Sequence, residues 1–174
     1  MKNIERLFTY IILLTVQILL CNYLHLSQFV MVSILPAMIL FSDVRLSKAS
    51  VLCLAFVLAF AVDFLADGVL GLNVLALVPV AFLRDGVIRL VFGEEHFSRG
   101  EGISLVRQGI WKVSTAITMV QALYLLIYIW ADGAGTRPLW FCALRFLASL
   151  LAGGILSLPV AKVLTAEKSS DKWL

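Results

Sequence analysis

Only two histidines occur, His25 and His96, in separate connecting segments, so no histidine-based metal cluster can be assembled. The three cysteines, Cys21, Cys53 and Cys142, are odd in number and sit in apolar stretches, where they read as small hydrophobes rather than as a disulfide framework or a metal set. Charge is scarce as well. Asp, Glu, Lys and Arg make up 14% of the 174 residues while 61% are hydrophobic, which lies outside soluble globular composition and inside the membrane class. A mean hydropathy of +1.00 agrees. Absent too are a phosphate-loop spacing, a nucleophile elbow and a paired His and carboxylate for acid/base work. Glu94, Glu95 and His96 read as an ordinary charged loop. The expectation is one integral membrane domain, residues 1–174, that is not an enzyme, holds no cofactor and binds no nucleic acid.

What is there is a series of apolar runs. The start, "MKNIERLFTYIILLTVQILLC", has the basic-then-apolar layout of a signal peptide, but no small-x-small site follows, so it is expected to stay as a first helix. "ILLC" at Ile18 to Cys21 fails as a lipidation site because Leu20 is not small. A helix needs about 20 residues to cross a hydrocarbon core of about 30 Å. On that measure six spans are expected: Leu7 to Leu24, Ser27 to Phe41, Ala49 to Ala66, Val69 to Ile88, Lys112 to Ala131 and Leu139 to Leu164. Pro36 predicts a kink or a re-entrant shape in the second. Twelve of the fourteen Lys and Arg, with Arg84 and Arg89 among them, fall on one side of this arrangement; Arg137 is on the other and Arg145 lies inside the sixth span. The asymmetry predicts cytoplasmic termini. Between the fourth and fifth spans, Ile103, Val106 and Ile110 beside Arg107 suggest an amphipathic helix at the membrane surface.

"AFAVDFLADGVLGLN", Ala59 to Asn73, interrupts the apolar pattern with two carboxylates. Asp67 falls at the membrane rim, and Asp63 one turn deeper continues a four-residue stripe through Ala55 and Ala59. A lone carboxylate there costs on the order of 2 to 3 kcal/mol, so Asp63 needs a partner. Arg145 enters from the same side at a similar depth, roughly 9 Å against roughly 7 Å by helix rise. The small residues that follow it, Ala148, Ser149, Ala152, Gly153, Gly154 and Ser157, would let helices touch. The expectation is a third and a sixth span packed together and pinned by an Asp63 to Arg145 pair, with Gly68, Gly71 and Asn73 serving the short turn. A proton path through Asp63, Asp67 and Arg145 is disfavoured, because all three cluster toward one face.

In its length, its six expected spans and the segment "DFLADGVLGLNVLALVPVAFLRD", Asp63 to Asp85, the chain resembles the MreD family of bacterial rod shape-determining membrane proteins. The matching features are Asp63 ending one span, Gly68 in a short turn, Leu70 and Gly71 followed by Asn73, and a long apolar helix from Leu75 onward. The resemblance implies a multi-pass protein of the bacterial inner membrane that binds MreC and other cell-elongation proteins and controls lateral peptidoglycan synthesis. It also implies a fold similar to the substrate-binding subunits of energy-coupling-factor vitamin transporters, which supplies the alternative function. Those subunits carry an Ala-x-x-x-Ala pair on their first helix; here that helix reads "LFTYIILLTVQILL".

Overall fold

A computed structural model describes residues 2–23, 30–44, 46–94, 103, 108–133 and 137–170, with the side chains of residues 2–6, 67 and 166–170 left undescribed. Described regular structure is helical: α1 (Lys2–Tyr23), α2 (Leu35–Leu40), α3 (Lys48–Val62) continued by one π-helical turn (Asp63–Asp67), α4 (Leu72–Phe92), α5 (Ile110–Gly133) and α6 (Leu139–Ser170). Three helical stretches are long and apolar enough to cross a membrane: Lys48–Ala66, Ile110–Gly133 and Leu139–Thr165. Leu7–Tyr23 is apolar but shorter. α4 has the length, 21 residues, yet carries Arg84, Asp85 and Arg89. Large apolar side chains cover the outside, among them Leu7, Phe56, Leu90, Trp130, Leu151 and Ile155, as hydrocarbon rather than water would favour.

The second expected span is not a continuous helix. Met31 to Ile34 runs without helical structure, and α2 then supplies only six residues, about 9 Å of rise. Pro36 sits in the first turn of α2, where its missing N–H leaves no intrahelical bond unmade, so the proline starts a helix here and does not kink one. Pro79 and Pro159, by contrast, lie inside α4 and α6.

α5 is the hub. Val113, Ala116, Ile117, Val120, Gln121, Tyr124 and Tyr128 recur at spacings of one, three and four and are buried against α4, α6 and α2. α3 packs on α4 through Val51, Ala55, Leu58, Ala59 and Val62, so the small stripe leading to Asp63 faces inward as its spacing implies. The opposite face of α3 is a ladder of exposed rings, Phe56, Phe60 and Phe64, stacked at centroid distances of 5.9 and 6.5 Å. α6 packs on α5 and α2 and makes at most marginal contact with α3, which corrects the expected pairing of the third and sixth spans. Its small residues do sit at a contact: Ser149, Gly153 and Ser157 are buried. A Cβ on Gly153 would clash with Nε2 of Gln121, so α5 and α6 approach closely here. Most of the amphipathic helix expected around Arg107, Val106 included, lies outside the described residues; of its other apolar positions Ile103 is buried and Ile110, which opens α5, is exposed.

Candidate functional site

Asp63 is completely buried, and its partner is not Arg145. The chain leaves α3 through the π turn, closed by Gly68 N–H donating to Asp63 O at 3.0 Å, five residues back. Gly68 (φ 68°) and Gly71 (φ 94°) both adopt the left-handed conformation, which a side chain would strain and glycine does not. These two reversals bring the start of α4 over the Asp63 carboxylate. Oδ2 accepts from the backbone N–H of Gly71 (3.0 Å) and of Val74 (3.3 Å); Oδ1 accepts from the N–H of Asn73 (2.9 Å) and from its side-chain Nδ2 (2.8 Å).

The first N–H groups of a helix have no intrahelical acceptor, and the residue preceding the helix ordinarily caps them with its side chain. That residue here is Gly71, which has none. Asp63 performs the capping from eight to eleven residues upstream, and its charge also opposes the positive end of the α4 dipole. The cost of burying a carboxylate is met by four donors and a helix end, with no cation needed. Asn73 extends the unit to the hub, because its Oδ1 accepts from the hydroxyl of Tyr124 on α5. Gly68, Gly71 and Asn73 thus belong to one assembly with Asp63. The side chain of Asp67 lies outside the described residues.

Arg145 is held instead by Asp132 in the last turn of α5, with Nη1 donating to Oδ2. Matching two residues by depth says nothing about which way each faces around its helix. α6 turns Arg145 toward its immediate neighbour α5, whereas Asp63 points under α4. Arg84, counted above among the basic residues of one side, is buried, 1% exposed, and its Nε donates to Leu40 O (3.3 Å) and its Nη2 to Ser42 O (2.7 Å). It thereby caps the C-terminal end of α2, with Asp85 3.6 Å away as a partly exposed counter-ion.

A third polar cluster had no expectation attached. The non-helical backbone from Met31 to Ile34 is bonded by side chains drawn from α1, α5 and α6. Gln17 of α1 accepts from Ile34 N–H with Oε1 (2.8 Å) and donates from Nε2 to Val32 O (3.3 Å), so its amide acts as the neighbouring strand would. Gln121 of α5 donates to Ser33 O (3.2 Å), and Ser149 of α6 accepts from Met31 N–H (2.8 Å). The available signal was two lone glutamines within apolar stretches of helix, since buried irregular backbone must find such groups inside the protein.

Among the described residues there is no group of three or more His, Cys, Asp or Glu that could hold a metal ion. The arrangement locks helix ends and connects helices. Compared with family models, with curated proteins and with solved structures, the chain matches none of them.

Proposed function

We propose that this protein is a non-enzymatic, six-span component of the bacterial inner membrane that belongs with the MreD proteins, has cytoplasmic termini, and acts as a membrane scaffold of the cell-elongation machinery through MreC and its associates. The reading is supported by one observation. The residues that carry the resemblance, Asp63, Gly68, Gly71 and Asn73, are not scattered similarities but parts of one capped turn, in which each has a physical task. Six spans are reached by counting α1, the broken segment with α2, α3, α4, α5 and α6. With Arg84 buried, the remaining basic residues still fall predominantly on one side of that count.

Depletion in a rod-shaped host tests it: cells should widen and round without acquiring a vitamin requirement, and pulldown of the tagged protein from native membranes should bring down an MreC-type partner. Rescue by vitamin supplementation would instead favour the transporter subunit. Reporter fusions after Leu174 and within residues 93–102 should both read cytoplasmic.

A further inference from the structure

Among the described residues, the rim where α5 ends and α6 begins carries more positive charge than it neutralises. Asp132 faces two guanidinium groups with the same oxygen: Arg145 Nη1 donates to Oδ2, and Arg137 Nη2 stands 3.8 Å from it. A separation of 3.8 Å is a charge contact longer than a hydrogen bond. One carboxylate against two guanidiniums leaves one positive charge over. Each guanidinium has five N–H donors, and Nε of Arg145 is buried without an acceptor. Arg137 is 42% exposed, with its guanidinium 5.3 Å above the ring of Phe141, which orients the fork without using its donors.

The surroundings are those of a membrane interface. Leu139 and Trp140, in the first turn of α6, and Trp130, in the last turns of α5, are all widely exposed, and tryptophan is enriched where lipid headgroups begin. A ligand that fits must bring one negative charge, planar-fork acceptors and hydrocarbon on the same molecule.

We propose that Arg137 and Arg145 bind the phosphodiester of an anionic phospholipid, with Asp132 holding the two guanidiniums together and Leu139 and Trp140 against the acyl chains. A phosphodiester supplies two non-bridging oxygens for the forks and cancels the residual charge. An anionic headgroup is preferred over a choline headgroup, because choline brings its own cation to a site that is already positive.

The test is thermal unfolding of the full chain in detergent with added phosphatidylglycerol, phosphatidylcholine or inorganic phosphate. Phosphatidylglycerol should raise the unfolding midpoint by about 3 °C or more over phosphatidylcholine. Arg137→Gln, at an exposed position that leaves the Asp132 to Arg145 pair intact, should fold normally and lose most of that increment. Arg145→Lys keeps a cation for Asp132 but lacks the fork, and should retain less than half of it. Equal shifts from the two lipids, or a full increment in R137Q, would overturn the site. An inorganic phosphate shift as large as the phosphatidylglycerol shift, and equally lost in R137Q, would overturn the lipid as its occupant.

Discussion

Asp63 and Arg84 are the two charged side chains buried most completely among the described residues, and each sits at the end of a helix other than the one it extends or belongs to. Asp63, at the end of α3, covers the N-terminus of α4; Arg84, within α4, covers the C-terminus of α2. The signs follow the helix dipole in both cases. They differ in reach and in what depends on them. Asp63 bonds groups eight to eleven residues away, so its own capping bonds are complete within the α3 and α4 hairpin. Arg84 bonds groups 42 and 44 residues away and needs α2 already in place. Asp63 satisfies backbone N–H groups, which are rarely left orphaned, whereas Arg84 satisfies carbonyls, for which a missing partner is better tolerated. The carboxylate is therefore the more indispensable of the two, and it holds a turn while the guanidinium holds an interface between helices.

The largest effect should come from Asp63→Ala. It strips three backbone N–H groups and the Asn73 amide of their acceptor, with an expected cost of about 3 to 5 kcal/mol, visible as lost folded yield and a lower unfolding midpoint in detergent. Arg84→Met should cost less, about 1.5 to 3 kcal/mol, because the replacement removes a buried charge together with its bonds. The difference drawn above fails if R84M proves the more damaging change. Hydrogen exchange sharpens the point: R84M should expose α2 amides and leave the first turn of α4 protected. Next comes Tyr124→Phe, which removes the hydroxyl that donates to Asn73 and should cost about 1 kcal/mol. The smallest expected quantity is the coupling between Asp63 and Arg145. In a double-mutant cycle with D63N and R145Q the single effects should add to within about 0.5 kcal/mol, while Asp132→Asn and R145Q should couple by more than that.

The helical class, the membrane composition and several buried positions were legible in the pattern of residues. The stripe Ala55, Ala59, Asp63 was recognisable as an inward face, and Asp63 as a buried acid in need of partners. Pro36 marked the span that would not be a plain helix. What escaped was direction and long-range geometry. Depth along a helix can be counted from rise per residue, but the angle around the axis depends on packing, and this is why Asp63 was matched to Arg145 and Arg145 was not matched to Asp132. Arg84 counts among the basic residues of one side, and nothing in that count reveals its burial. Its two carbonyl acceptors exist only once α2 has ended at Leu40, and no spacing in α4 reveals that. Gln17, Gln121 and Ser149 were each separated from their acceptors or donors by a fold still to be formed.

The stretch from Met31 to Ile34 imposes an order on how this protein is made. Its backbone partners lie on α1, already synthesised when the stretch emerges, but also on α5 and on α6, the latter 118 residues later in the chain. Until α6 is in place, Met31 N–H lacks its native acceptor, and a buried backbone N–H is rarely left without one. A nascent chain meets that demand either by holding these residues as helix or by keeping them near the aqueous boundary. The unwound shape is thus a product of the finished bundle: the second segment to be translated is among the last to reach its final conformation, and a chain truncated before Ser149 should never adopt it.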